Sequence, residues 1–191
     1  VLQGGRASQL RYAAFAIDRA ALKAYLASLA SVSQATFDAW PKPQQMAFLI
    51  NAYNAATVEL ILTRYLKLES IKDLGSFLQS PWKPKIVSLL GTQLSLDNIE
   101  HDLLRARGRY DDPRVHFAVN CASIGCPALR EEAFVADKLD AQLDEQAARF
   151  MADRSRNRWA PDRQRLEVSK IFDWFGDDFR QGFKGITTLQ G

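Results

Sequence analysis

Apolar residues recur at helical spacing over much of the chain. Leu22, Leu26 and Leu29 fall on one face with Tyr25 beside them, and Asp18 precedes them as a candidate N-cap, which predicts a helix from 18 to about Ser31. "WPKP" (40–43) is a break. Pro43 then suits the first turn of a long helix over roughly 43–66, with Ala47, Ile50, Val58, Ile61 and Tyr65 on its apolar face. Ser70 and Asp73 have capping-box spacing for a short helix. "KIVSLLGTQLSL" (85–96) reads as a β-hairpin turning at Gly91-Thr92. Asp97 as N-cap, with Glu100 three residues on, opens a helix that Gly108 ends, and Leu96, Ile99 and Leu103 form its apolar arc.

Period-2 alternation takes over at 111–120, a turn into a strand. Arg114, His116, Ala118 and Asn120 share one face there, and Val115, Phe117, Val119 and Cys121 the other. A helix over 137–153 turns Leu139, Leu143 and Phe150 inward, and 154–169 forms two strands around a Pro-Asp turn. An amphipathic helix carrying Ile171, Phe172, Phe175 and Phe179 closes the chain. Helices intermix with hairpins instead of alternating strand and helix, and no repeat or linker interrupts them. The expectation is a single α+β domain over 1–191, with a mainly antiparallel sheet and several packed helices.

Certain polar residues fall on apolar faces. Asn51 and Asn54 lie three apart on the core face of the long helix, where an unpaired amide costs about 1–3 kcal/mol. Either they satisfy nearby loop backbone or they face a polar site. Glu100 falls inside the apolar arc of its helix and His101 just beyond it. The capping box accounts for Glu100 in one way and a buried partner such as a histidine in another.

Composition narrows the partners. With 191 residues, 47% hydrophobic and 25% charged, the chain is long enough for one buried core. A net charge of +3 is too small to argue for nucleic acid, and no apolar run approaches the ~20 residues of a transmembrane helix. Two cysteines do not make a disulfide scaffold. Cys121 and Cys126, with His101 and His116 upstream, have poor zinc spacing, so neither a metal nor a cofactor is expected. The Arg-rich arm at 154–165 reads as a solvated hairpin face that could also bind an anion.

The chemistry concentrates in "HFAVNCASIGCP" (116–127). A strand end leading into Ala122, Ser123 and Gly125 would expose the Cys121 sulfur and leave backbone N–H groups free as an oxyanion hole. On a straight strand His116 would lie some 16 Å from Cys121 (~3.3 Å per residue) and on the opposite face. His101 is therefore the expected base, with Glu100 meeting His116 across the fold. Three states of the cysteines remain open: a reactive Cys121, a Cys121–Cys126 bridge, or inert packing.

"AFLINAYNAATV" (47–58), "LSLDNIEHDLLR" (94–105), "DPRVHFAVNCASIGCPALR" (112–130) and "VSKIFDWFGDDF" (168–179) resemble, in order, the signature blocks of the DUF547 family. The likeness covers about 40–180. Asn51, Asn54, Glu100, His101, His116, Asn120, Cys121 and Cys126 all stand where that family's pattern has them. The resemblance implies no settled activity. It implies, through a distant likeness to papain-like and transglutaminase-like folds, a Cys-His arrangement on an α+β body. Bacterial members often look exported, which implies a periplasmic setting.

The leading expectation is a thiol-dependent hydrolase or transferase acting on an amide, a peptide or a thiol-containing small molecule. Cys121 would attack, with His101, Glu100 and His116 as the other catalytic candidates. Asn51, Asn54, Asn120, Ser123 and Cys126 are the candidate substrate contacts. The rivals are a non-catalytic binding or scaffold module with a buried polar network, and a redox-responsive pair Cys121/Cys126.

Overall fold

The computed structural model describes residues 8–68, 70–75, 80–123 and 125–189, so both ends of the expected 1–191 domain lie outside the described residues. Helices α1 (Tyr12–Ile17), α2 (Arg19–Ala30) and α3 (Gln34–Asp38) lead into α4 (Lys42–Leu62). Asp18 sits at the start of α2, but its side chain makes no cap bond. Pro43 lies in the first turn of α4, where its missing N–H costs nothing.

Helix α4 is buried nearly all round rather than on one face. Met46, Leu49, Ile50, Tyr53, Leu60 and Ile61 are all inside, and such a helix belongs at the centre of a fold. Leu29 of α2, Phe37 of α3, Ile99, Leu104 and Leu143 pack around it. Each such side chain contributes about 1.5–3 kcal/mol by leaving water. A smaller cluster joins Leu22 of α2 to Val58 and Leu62.

The strands form two separate antiparallel ribbons, and helices carry most of the α+β core. β1 (Val87–Leu89) pairs with β2 (Thr92–Leu94), and β3 (Arg158–Ala160) with β4 (Arg165–Glu167). The first ribbon turns at Leu90-Gly91, one residue earlier than expected. Both residues have positive φ, 54° and 76°, the paired left-handed geometry that matches the twist of a hairpin.

Three expected elements take other forms. Ser95, not Asp97, caps the next helix: the Asn98 N–H donates to Ser95 Oγ (3.0 Å) and the Ser95 N–H donates to Asn98 Oδ1 (3.0 Å). The helix widens into a π-helix over Asn98–Leu104 and stops before Gly108. A widened turn of this kind recurs at functional sites.

Residues Pro113–Phe117 form a 3₁₀ helix, not a strand. The Asp112 side chain accepts the Arg114 N–H, and Pro113 supplies the helical φ, so "DDP" is a helix start that the alternation concealed. The buried Arg114 guanidinium is neutralised by Asp112, Asp140 and Asp144. Lastly, the closing helix is broken at Phe175 into α6 (Ile171–Trp174) and α7 (Gly176–Phe179), after α5 (Leu139–Met151). The break lets Phe172, Phe175 and Phe179 pack with Phe117, Phe150 and Ile171 in a second, largely aromatic cluster.

Candidate functional site

Among the described residues from 118 to 135 there is no helix or strand, so their backbone polar groups need partners from elsewhere. Side-chain carboxamides supply them. Asn54 Nδ2 donates to the Ala118 carbonyl (3.0 Å), and Asn54 Oδ1 accepts the Asn120 N–H (2.8 Å). Asn51 repeats this pairing on Phe134, at 2.8 and 2.9 Å. From the opposite side α5 contributes Gln142, which accepts the Val135 N–H (2.9 Å) and donates to the Ala133 carbonyl (3.0 Å). Gln146 Nε2 donates to the carbonyls of Phe117 (3.2 Å) and Ala128 (2.9 Å). A carboxamide carries the same donor–acceptor pair as a peptide unit, so Asn51, Asn54 and Gln142 stand in for a missing neighbouring strand, while Gln146 acts through its donors alone and leaves its buried Oε1 without a partner among the described residues.

Within this segment Cys121 and Cys126 form a disulfide, their Cα atoms 6.0 Å apart. Asn120 closes the base of the same loop, donating through Nδ2 to the Pro127 carbonyl (2.7 Å) and accepting the Ala122 N–H at Oδ1 (2.8 Å). Ala122 is held at φ 56°, a left-handed conformation that costs an L-residue about 1–2 kcal/mol. The Ser123 N–H donates to Cys126 Sγ at 3.3 Å. Cys126 is buried, Cys121 half-buried and Ser123 exposed. A cavity of about 390 Å³ opens here, lined by Asn54, Asn120, Ala122 and Ser123 together with Tyr12 and Thr57.

A second polar cluster sets a buried histidine against a half-buried ion pair. His116 Nε2 lies 2.8 Å from Asp178 Oδ2, and Arg105 Nε donates to the same oxygen at 2.6 Å. Phe175 stacks on the His116 ring at 4.0 Å and carries the Arg105 guanidinium over its face at 4.6 Å. With Nε2–H donating to the carboxylate, His116 Nδ1 is left buried and unpartnered among the described residues. Burial pushes the His116 pKa down, against the pull of Asp178 and Glu100. Burial alone would raise the Asp178 carboxyl, but hydrogen bonds from His116 and Arg105 outweigh it and hold it well below the usual range. Burial, then Glu100, pushes the Tyr53 phenol up.

These contacts redistribute the expected residues. Asn54, Asn120, Ser123, Cys121 and Cys126 come together at the bridged loop. His116 belongs to the charged cluster, where Asp178 takes the place expected of Glu100; Glu100 accepts a hydrogen bond from the Tyr53 phenol and reaches His116 only through its charge, and Asn51 holds the far end of the segment. His101 is paired with Arg105, with Asp97 at 3.8 Å, and Cys121 is bonded to Cys126, so the expected Cys121–His101 dyad is not formed in this bridged state. The straight strand that separated His116 from Cys121 is absent, and Asp178 engages the His116 Nε2.

Sequence reasoning missed Arg105, Phe175, Asp178, Gln142 and Gln146. The two glutamines carried a signal, since they lie among Leu139, Leu143 and Phe150 on the buried face of α5. Asp178 carried none. Which of the adjacent Asp177 and Asp178 turns inward depends on the break at Phe175.

The fold and site define a small α+β domain built around a carboxamide-clamped, disulfide-closed loop. The family model for Protein of unknown function, DUF547, matches residues 37–151, more than half of the chain, and the chain belongs to that family. The match takes in the whole clamped segment and stops before Asp178. No curated protein and no solved structure matches the chain. Among the described residues no group of three or more His, Cys, Asp or Glu could hold a metal ion, and no helix is long and apolar enough to cross a membrane.

Proposed function

We propose that the domain is a redox-responsive binding module, in which the Cys121–Cys126 pair sets the shape of the adjoining cavity for a small-molecule or peptide ligand. One observation carries this reading. The bridged loop is itself a wall of the cavity, through Asn120, Ala122 and Ser123. Opening the bridge frees the strained Ala122 backbone and leaves Asn120 alone at the base of the loop.

The exchange chemistry has a direction. The thiolate of an external thiol attacks Cys121 Sγ, the more accessible sulfur. The Cys121–Cys126 bond breaks, and Cys126 leaves with the electron pair as a thiolate that then takes up a proton. The Ser123 N–H already points at Cys126 Sγ and stabilises that leaving charge. The thiolate of a second external thiol attacks the external sulfur of the mixed disulfide and expels Cys121 as a thiolate that takes up a proton, giving an external disulfide and two protein thiols. An oxidising compartment holds the pair bridged and a reducing one opens it.

The hydrolase or transferase reading needs a reduced Cys121 and a free base. Both histidines are engaged, one by Asp178 under Phe175 and the other by Arg105, so this reading has less support.

Equilibrating the native protein in graded glutathione buffers, then trapping with iodoacetamide for mass spectrometry, tests the proposal. The expected series is a bridge, then a glutathione adduct on Cys121, then two alkylated thiols. A pair that stays bridged throughout, or an adduct on Cys126, contradicts it. Alkylation of reduced Cys121 far below the ordinary thiol pKa of about 8.5 would instead favour the nucleophile reading.

A further inference from the structure

We infer that the cavity between α5 and residues 130–132 binds a free basic α-amino acid. Arg130, Glu131, Glu132, Glu145, Gln146 and Arg149 line a space of about 250 Å³. Pockets for drug-sized ligands begin at roughly 300 Å³, so the occupant is small. This cavity shares no lining residue with the one beside the disulfide.

Two atoms in its walls lack partners. Gln146 is only 2% exposed, and its Nε2 donates to the Phe117 and Ala128 carbonyls. Those two acceptors fix which end of the amide is nitrogen, so the other end, Oε1, is an acceptor. No donor reaches that buried oxygen among the described residues, and no acceptor reaches the buried Nε–H of Arg130. Each unmet group costs free energy that a ligand recovers by pairing with it. In so small a cavity one ligand must carry both a donor and an acceptor close together. The head of an α-amino acid does. Its ammonium donates to Gln146 Oε1, and its carboxylate accepts the Arg130 Nε–H.

Charge selects the side chain. Arg130 and Arg149 are mostly buried, whereas Glu131, Glu132 and Glu145 are each more than half exposed and form the rim. Arg130 Nη2 lies 2.7 Å from Glu145 and 3.6 Å from Glu132, and Arg149 Nη1 lies 3.6 Å from Glu131. Two guanidiniums against three carboxylates leave one negative charge in excess. The zwitterionic head of an amino acid is neutral, so a cationic side chain lying along the rim makes up that charge.

Calorimetric titration of the native chain with L-lysine tests this. Lysine should bind, and L-norleucine, which has no side-chain charge, should bind at least about threefold more weakly. Nα-Acetyl-L-lysine and L-lysinamide stand for lysine at the carboxyl and amino ends of a peptide. Each lacks one charge of the head and should bind at least about fivefold more weakly. Arg130→Lys keeps the charge that faces Glu145 but has no Nε–H, and should weaken lysine binding by a similar factor. If that variant does not fold, E131Q/E132Q decides: both positions are exposed, and the pair should abolish the preference for lysine over norleucine. C121S/C126S should bind lysine like wild type, which separates this inference from the redox reading. No lysine binding would mean that ordered water alone meets the two wall atoms, and overturns the inference. Equal binding of norleucine or of either blocked lysine overturns it too, as does wild-type affinity in folded R130K.

Discussion

Two polar assemblies hold the middle of this chain by different physical means. His116, Asp178 and Arg105 meet at one carboxylate oxygen beneath Phe175, the histidine buried and the ion pair half-buried. Asn51, Asn54, Gln142 and Gln146 are neutral, and their partners are backbone groups of 117–135. A buried charge is costly unless every partner is present, so the first assembly is all or nothing. A carboxamide exchanged for water loses little, so the second tolerates a wet cavity beside it. Rigidity belongs with the charged cluster and adjustable shape with the clamped loop.

Breaking the charged side should cost most. Asp178→Ala leaves Arg105 and His116 without their shared acceptor. Discounted because Asp178 is about one-fifth exposed, the expected loss is about 3 kcal/mol, measurable by urea unfolding. Asn54→Ala leaves the Ala118 carbonyl and the Asn120 N–H unpaired, for about 2 kcal/mol in the same measurement. Replacing both cysteines by serine opens a loop of only six residues, and the chain-entropy term for so short a loop is about 2 kcal/mol or less.

Acid should separate the two assemblies further. The folded pKa of His116 is lowered, so its contribution is complete above the unfolded value of about 6.5 and shrinks as pH falls below it. Asp178 is also lowered, so its contribution is complete above about 3.9 and is lost on further acidification. Stability should therefore decline in two stages below neutrality. His116→Gln keeps a donor for Asp178 but does not titrate, and should remove the first stage while leaving the second. Urea midpoints from pH 7.5 to about pH 2 check this. The smallest effect expected is from Ala122→Gly, which relieves the left-handed backbone and should stabilise the bridged protein by under about 1 kcal/mol in thermal melts.

Helical periodicity read the core well in α2 and α5, which obey it, while α4 is buried nearly all round and is marked by Pro43, and the Ser70–Asp73 capping box marks its element correctly. It failed where backbone geometry departs from period 3.6 or 2. "DDPRVHF" alternates like a strand, yet Asp112 and Pro113 start a 3₁₀ helix. The π-helix has no propensity signature of its own, so Asp97 and Glu100 offer the spacing of a capping box, one of two readings of Glu100, and Ser95 and Asn98 make the cap instead. Asn51 and Asn54 were legible as amides needing partners, but their partners, some 64 to 83 residues away in the chain, were not. The state of Cys121 and Cys126 was open in sequence, since five residues of separation permit a bridge without requiring one.

Amide-resolved NMR spectra of the native protein, bridged and then reduced, test the central claim most directly. Reduction should move the backbone amides of 120–126 and the cavity wall, including the Asn54 side chain, Tyr12 and Leu129, and leave His116, Phe175 and Asp178 in place. Spectra that superimpose everywhere except at the two cysteines would contradict the account, as would a change that spreads into the His116–Asp178 cluster.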